Sequence, residues 1–278
     1  TQFWSTVSSD GGDIRITTDA GVPVELPREV VSASTTLETG ELHFKAPYLS
    51  EVIDTSFRIW YNGSSSQEYA ADATYGTENV WTNSYAAVWH MNEDPSGTAP
   101  QILDSTSNNF DGASAGSMTS EDKVTGKLLD ALDFDGSNDQ VFVGDNSLLE
   151  PSSAITLSAW IYNRNISGSY RPHFMCKGDS GTTGTYCYIV ETTGELRLYL
   201  DTGSGWVSAV TGVTNLKSAT YQNKWLNVVA TYDGSNASIY LNGTQDNSAS
   251  LSGALRNGTG DLSLGRNPWL GSSVPVLA

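Results

Sequence analysis

The chain has 278 residues, of which 38% are hydrophobic and 16% are charged. Since domains usually contain roughly 100 to 200 residues, this length predicts two domains, each large enough to bury a core. The 14 basic and 31 acidic residues leave a net charge of -17, which argues against nucleic acid or an anionic membrane surface as the partner. No apolar run approaches the ~20 residues of a membrane helix, so no membrane insertion is expected in this segment.

The first 63 residues alternate apolar and polar side chains between Gly, Pro and Asn-Gly breaks, which is typical of short strands. In TSFRIWYNG, Phe57, Ile59 and Tyr61 fall on one face of such a strand. Residues 64–84 lack a clear period and are interpreted as a linker or an irregular connection. We therefore predict a smaller β-rich domain over residues 1–63 and a second domain over residues 85–278.

The second domain contains many short segments with period two. Every second residue of AITLSAWIYN from Ile155 to Ile161 is apolar, and the three leucines of ELRLYLD share one face. Asp-Gly and Asn-Gly pairs recur between these segments and favour antiparallel neighbours. Because no helical segment separates the strands, the pattern predicts an all-β fold, an antiparallel β-sandwich or jelly roll.

The run LLDALDFDGSNDQVFVGDNSLL is followed by AITLSAWIY and then by KWLNVVATYDGSNASIYLNGTQD with LSLGRN. Together these motifs resemble the LamG-like jelly-roll family of the concanavalin A-like lectin/glucanase superfamily. The earlier GGDIRITTDAGVPVELPREVV, FRIWYNG and AAVWHMNEDPSG resemble an uncharacterised β-rich domain that commonly precedes LamG modules in bacterial and archaeal surface proteins. Both resemblances imply incomplete outer ends, so the first domain is expected to lack N-terminal strands and the second to lack its last strand.

Four polar side chains cluster in the loop DFDGSNDQ, namely Asp133, Asp135, Asn138 and Asp139. Calcium collects about six to eight oxygen ligands of this kind. The LamG resemblance implies Ca2+ at this loop, with Asp135 and Asp139 as ligands. The alternative is that Asp and Asn simply favour turns and that no ion binds. A glycosidase pair is not favoured, because laminarinase-type relatives carry a Glu, Asp, Glu run on one strand that is missing here.

Cys176 and Cys187 are the only cysteines and flank a Gly- and Thr-rich stretch that would turn between two strands. A cross-strand disulfide and a pair of buried thiols are both compatible with this spacing. An extracellular setting favours the disulfide.

Aromatic side chains on a sheet or loop can stack against the apolar face of a sugar ring. The candidates for such a platform are Trp160, Tyr162, Tyr188 and Trp206, with Tyr186 and Trp269 as further members. Trp206 is the first choice, because it lies in the Gly- and Ser-rich loop DTGSGWVS with few obvious packing partners. The alternative for each residue is ordinary core packing.

The three histidines give no catalytic or zinc-binding motif. His43 and His173 are each isolated on predicted strands, His90 is interpreted as a packed structural residue beside Trp89, and no Cys/His cluster is present. No serine or cysteine lies in a nucleophile-elbow context. The sequence therefore predicts a protein that is not an enzyme.

The function that these observations favour is a non-catalytic recognition or adhesion protein, extracellular or at a cell surface, that binds a glycan or a neighbouring cell surface through the sandwich. The alternative is a structural module of a surface appendage or viral fibre, which contacts other protein chains by strand addition at incomplete sheet edges. A glycoside hydrolase ranks last.

Overall fold

The computed structural model describes residues 2–19, 21–63, 66–164, 171–178, 181 and 183–267, and the backbone of residues 276–277. The chain folds as two compact units. The first unit contains residues 1–90 and 104–110, and the second contains residues 91–103 and 111–278. The fold is nearly all-β, as the sequence predicts.

Among its described residues, the first unit has one short helix, five strands and a single 3-10 turn. These elements are α1 (Gln2–Thr6), β1 (Arg15–Thr18), β2 (Glu25–Leu26), β3 (Arg28–Ser34), β4 (Thr39–Phe44), β5 (Phe57–Trp60) and the 3-10 helix Thr77–Asn79. Strand β1 lies between β2 and β5, while β3 and β4 form a separate hairpin. Val7, Ile14, Ile16 and Leu26 form the buried core of this unit, and Phe57 packs against it.

Residues 66–84 form an irregular connection that packs within the first unit. The fully buried guanidinium of Arg28 donates two hydrogen bonds to the carboxylate of Glu68, at 2.7 and 2.8 Å. The hydroxyl of Tyr69 donates to Glu25 at 2.8 Å. These contacts hold the non-repetitive stretch to the strands, although its sequence has no strand period.

The second unit contains fourteen strands in the described residues. They are β6 (Ala113–Ala115), β7 (Lys123–Thr125), β8 (Asp130–Phe134), β9 (Gln140–Gly144), β10 (Ile155–Asn163), β11 (His173–Gly178), β12 (Gly184–Val190), β13 (Glu195–Asp201), β14 (Trp206–Asn215), β15 (Lys224–Tyr232), β16 (Asn236–Leu241), β17 (Thr244–Ser250), β18 (Leu262–Leu264) and β19 (Val276–Leu277). Two 3-10 turns, Ser120–Asp122 and Ser147–Leu149, lie between them.

These strands form two seven-stranded sheets. The first sheet has the order β17-β16-β15-β10-β19-β8-β7, and the second has the order β14-β13-β12-β11-β18-β9-β6. Every pairing between named strands of these sheets is antiparallel. The predicted antiparallel β-sandwich of the jelly-roll type is therefore confirmed.

Strand alternation fixes which side chains enter the core. On β10, Leu157 and Ile161 are buried, and on β13 the leucines Leu196, Leu198 and Leu200 are each at most 1% exposed. Strand β12 differs, because all seven of its residues are buried. The second sheet is therefore covered on both faces along this strand, whereas the first sheet has a clear inner and outer face along β10.

The two edges of the sandwich differ in structure. At one edge the Asp246 carboxylate of β17 accepts hydrogen bonds from the Val213 amide at 2.9 Å and the Thr214 hydroxyl at 2.6 Å, both on β14. At the other edge the sheets end in the three-residue strands β6 and β7. Short edge strands offer few free backbone groups for pairing with another chain. Strand addition by another chain stays a prediction.

The backbone of residues 276–277 pairs with both β8 and β10. This short strand lies inside the first sheet, between β10 and β8. The expectation that the second domain lacks its last strand stays a prediction. In the described part of the chain, no helix is long and apolar enough to cross a membrane.

Candidate functional site

Three aromatic side chains lie on the outer face of the first sheet, and we call Trp160, Tyr162 and Trp225 the aromatic face. Trp160 and Tyr162 alternate on β10 with the buried Ile161, so both point away from the core. Tyr162 is directly opposite Trp225 on β15, and their rings meet edge to face with centroids 5.5 Å apart. Trp160 is 41% exposed. The aromatic face is thus a fixed apolar surface that solvent can reach.

Charged groups border the aromatic face on the side of β8. Asp133 pairs with Leu277, which pairs with Tyr162, so the backbone register places Asp133 in the same row as Tyr162 and on the same side of the sheet. The guanidinium of Arg164 donates to both oxygens of Asp133, at 2.9 and 2.7 Å. The Lys127 ammonium lies 5.2 Å from the centroid of the Trp160 ring.

This arrangement suits a ligand that has an apolar face and hydroxyl groups at its rim. The exposed indole of Trp160 offers a stacking surface, while the Arg164–Asp133 pair and Lys127 offer donors and acceptors at its border. The sequence analysis identified Trp160 and Tyr162 but missed Trp225 as a site residue. Trp225 belongs to the aromatic face because it pairs with Tyr162 across the two strands. The sequence pattern alone does not show which residues of two strands pair.

The prediction that Tyr188 belongs to a glycan platform is wrong. Tyr188 is fully buried and packs edge to face on Phe174 at 5.4 Å, and burial raises the pKa of its phenol. Tyr186 is buried as well. Both tyrosines lie on β12, where residues of both parities are covered, so alternation did not identify an exposed face. Trp269 lies outside the described residues.

The expectation that Trp206 lacks packing partners is also wrong. Trp206 is half-buried and packs, with Tyr199, against a cluster made by Cys176, Cys187 and Ile189. The structure joins Cys176 to Cys187 by a disulfide that links β11 to β12. Trp206 therefore covers the outer side of the second sheet and offers less surface for stacking than Trp160 does.

A charged network also covers the outer side of the second sheet. It consists of Glu191, Arg171, Arg197 and Tyr199, and we call it the arginine network. One oxygen of Glu191 lies 2.7 Å from Arg171 and 3.0 Å from Arg197, and it accepts a hydrogen bond from the Tyr199 hydroxyl at 2.7 Å. Burial raises the pKa of Glu191, but the hydrogen bonds from Tyr199 and Arg171 outweigh burial and hold that pKa below its usual value. Glu191 is thus a charged, buried anchor for two arginines.

The predicted calcium residues form a turn held by its own hydrogen bonds. The Asp139 carboxylate, which is 1% exposed, accepts from the amides of Asp135 at 2.9 Å and Ser117 at 3.1 Å. Asp135 accepts from the Ser137 amide at 2.7 Å, and the Asn138 side chain donates to the Ser117 hydroxyl at 3.1 Å. The carboxylates are therefore used by the backbone of the turn.

The fourth predicted ligand, Asp133, pairs with Arg164 at the border of the aromatic face. Burial raises the pKa of Asp139, whereas hydrogen bonds from the turn amides outweigh burial and lower the pKa of Asp135. A metal site needs at least three His, Cys, Asp or Glu side chains with donor atoms close enough to share an ion. In the described part of the chain, these aspartates belong to no such group. Calcium binding at this loop stays a prediction.

The prediction that His43 is isolated on its strand is wrong. Its ring stacks on that of His90 with centroids 5.0 Å apart, and its Nε2 lies 2.7 Å from the carboxylate of Glu41. His173 is buried in the second unit, next to the disulfide-bonded cysteines. Disulfide sulfurs are not thiolates, so His173 and these cysteines do not form a zinc site.

Comparison with known proteins identifies one family. The model of the concanavalin A-like lectin/glucanases superfamily, the third Laminin G group, matches residues 135–277. No curated protein matches the chain.

Several solved structures are similar to part of this chain. The binding domain of Paraclostridial Mosquitocidal Protein 1 is 14% identical, with 67% of this chain and 46% of that chain covered and a TM-score of 0.48. The binding domain of botulinum neurotoxin serotype D is 12% identical, with 68% and 46% covered and a TM-score of 0.45. Domain 4 of AbnA, a GH43 extracellular arabinanase of Geobacillus stearothermophilus solved with arabinotriose, is 17% identical, with 69% and 91% covered and a TM-score of 0.47.

The chain thus spans less than half the length of the two toxin domains. The family match covers more than half of the chain and begins at residue 135, in the turn between β8 and β9. The resemblance of the first unit to a domain that precedes LamG modules stays a resemblance. The chain belongs to the concanavalin A-like lectin/glucanase superfamily.

Proposed function

We propose that the second unit is a non-catalytic carbohydrate-recognition module of an extracellular or cell-surface protein and that it binds its glycan on the aromatic face. The observation that carries this proposal is the exposed Trp160, held beside the edge-to-face pair of Tyr162 and Trp225 on the outer face of a rigid sheet. Membership in a superfamily of lectins and glucanases supports a sugar as the ligand.

The rigidity of the face matters for affinity. Trp160 and Tyr162 lie on the nine-residue strand β10, which pairs with β15 over its whole length. Side chains held by paired strands lose little freedom on binding, so little of the interaction energy is spent on ordering them. Aromatic side chains give a large contact area for few rotatable bonds.

The charges favour a neutral ligand over a strongly anionic one. The chain carries a net charge of -17, so a polyanion would meet long-range repulsion. Close to the aromatic face, Asp133 neutralises Arg164 in a bidentate pair. The pair can still donate to and accept from hydroxyl groups, which are the groups that a neutral sugar presents.

A glycan array with the full chain, run with and without calcium, tests the proposal. We expect the unmodified chain to bind neutral glycans. Trp160→Thr and Trp225→Thr should each lower the affinity about tenfold or more, because each substitution removes a stacking contact of roughly 1.4 kcal/mol. Threonine keeps the strand preference of these positions. Isothermal titration calorimetry with the best-bound oligosaccharide measures the change.

Tyr48→Thr is the matched control, because Tyr48 is a 67% exposed aromatic residue of the first unit. Its affinity should equal that of the unmodified chain. An array that stays blank under both conditions, or affinities that Trp160→Thr and Trp225→Thr leave unchanged, would refute the proposal.

A further inference from the structure

A cluster of histidine and glutamate side chains lies in the first unit, outside the aromatic face and outside the family match. Glu41 and His43 are two residues apart on β4 and therefore project from the same face of the strand. His90 joins them from the end of residues 66–90, and its ring stacks on that of His43 with an interplanar angle of 27°. We call Glu41, His43 and His90 the histidine cluster.

The donor atoms of the histidine cluster are as close as those of a metal site. Glu41 Oε1 lies 2.7 Å from His43 Nε2 and 3.8 Å from His90 Nδ1, and the three donor atoms all lie within 4.8 Å of one another. Around a tetrahedral zinc ion with ligand bonds of about 2.0 to 2.1 Å, donor atoms are about 3.3 Å apart. Small side-chain rotations would therefore place all three atoms on one ion.

A second carboxylate orients His90. Glu29 Oε2 lies 3.1 Å from His90 Nε2, and the Glu29 side chain is 8% exposed. The same carboxylate accepts from the Trp81 indole at 2.7 Å and from the Ser105 hydroxyl at 2.6 Å.

The position of Glu29 matches a regular feature of metal sites. A carboxylate beside one nitrogen of a metal-binding histidine orients the ring so that the other nitrogen can bind the ion. In His90, Nε2 lies beside Glu29, and Nδ1 lies on the side of Glu41. Glu29 therefore suits the role of the carboxylate that orients His90.

The cluster is also accessible to an ion. The side chain of His43 is 29% exposed, while those of Glu41 and His90 are 11% and 13% exposed. An ion can therefore enter on the His43 side and keep a water molecule there. Three protein ligands and one solvent position form a known zinc arrangement.

We propose that Glu41, His43 and His90 bind one first-row divalent cation of the zinc type, with Glu29 as the carboxylate that orients His90. Two imidazole nitrogens and one carboxylate favour such a cation over calcium, which prefers oxygen ligands only. The ion would tie β4 to the end of residues 66–90. This proposal is independent of glycan binding, since it concerns the other unit.

Calorimetric titration of zinc chloride into the untagged, chelator-treated full chain tests the proposal. We expect one ion per chain, retained in excess calcium. His43→Gln and His90→Gln should abolish this binding, and Glu29→Gln should weaken it by about 10- to 100-fold while keeping the stoichiometry. Cobalt in place of zinc should give visible absorption bands in the unmodified chain and lose them in both histidine variants.

Glu51→Gln is the matched control, because Glu51 is an exposed carboxylate of the same unit. It should bind zinc as the unmodified chain does. Imidazole NMR signals of the unmodified chain provide a readout that does not depend on variant folding. One equivalent of zinc should shift two of the three histidines and leave His173 unchanged. The proposal would be overturned if zinc did not bind, or if zinc binding survived in His43→Gln and His90→Gln. A zinc-dependent shift of His173, or a cluster that binds only a proton, would overturn it as well.

Discussion

The outer sides of the two sheets of the sandwich share one strand pattern but differ in exposure. On the first sheet, Trp160 alternates with buried residues and stays open to solvent. On the second sheet, Trp206 occupies an outer position as well, yet it is half-buried against the disulfide cluster, and the arginine network continues that cover. Alternation therefore decides only which side of a sheet a residue faces. The neighbouring strands decide whether that side is open.

The largest effect that would test this contrast is expected at the centre of the arginine network. Glu191→Ala should lower the free energy of unfolding by about 3 kcal/mol, because two arginines would keep their places with no anion between them. This is the lower end of the usual range, since Arg171 and Arg197 are 35% and 28% exposed and partly screened by water. Urea denaturation followed by tryptophan fluorescence measures the change.

Glu195→Ala provides the control, because Glu195 is a half-buried carboxylate at the start of β13 and lies outside the network. Its loss should cost less than about 1 kcal/mol. Glycan affinity should be the same in both variants. If Glu191→Ala unfolds at the urea concentration of the unmodified chain, the second sheet is not sealed by this network and the contrast fails.

An intermediate effect is expected from the pH dependence of the covered side. Burial lowers the pKa of His173 to about 4, with a further contribution from Arg171. The Asn267 amide also donates to its Nε2 at 3.3 Å, a bond that a protonated ring would lose. Since the unfolded chain binds the proton near pH 6.5, the stability that neutral His173 provides is present above that pH and is lost as the pH falls toward 4.

Between pH 7 and pH 5 this loss amounts to about 2 kcal/mol for a single buried histidine with such a pKa. His173→Gln should remove this part of the pH dependence, and the difference between the two urea profiles at pH 7 and pH 5 measures it. Glu191 and the other carboxylates with lowered pKa values contribute mainly below pH 5. Parallel profiles for both proteins would show that folding leaves the pKa of His173 unchanged, which would contradict this prediction.

The sequence predicted the sandwich because strand period and turn pairs are local properties. It also identified Trp160 and Tyr162 as candidates, and both have the parity opposite to that of the buried Leu157 and Ile161 on β10. Parity could not classify Tyr188, because β12 is buried on both sides. Trp225 was not found because its role depends on register with another strand.

The histidine cluster illustrates the same limit more strongly. Glu41 and His43 share a strand, but His90 reaches them only through the irregular connection, which has no period that would predict its path. The acidic turn is the converse case. Asp135 and Asp139 are close in sequence and resemble a calcium loop, and in the structure each carboxylate accepts hydrogen bonds from backbone amides of the turn. Calcium binding there stays a prediction.

The smallest effect is expected at the open face itself. Trp160→Thr should change the free energy of unfolding by less than about 1 kcal/mol, because the indole is 41% exposed and threonine suits a strand. The cation–π contact with Lys127 is the main partner lost, and such contacts at exposed sites contribute roughly 0.5 to 1 kcal/mol. Thermal and urea unfolding of the variant measure this change. A small loss of stability together with a tenfold loss of glycan affinity would show that Trp160 belongs to a binding surface. If the free energy of unfolding fell by several kcal/mol, Trp160 would instead be a packing residue, like the covered residues of the second sheet.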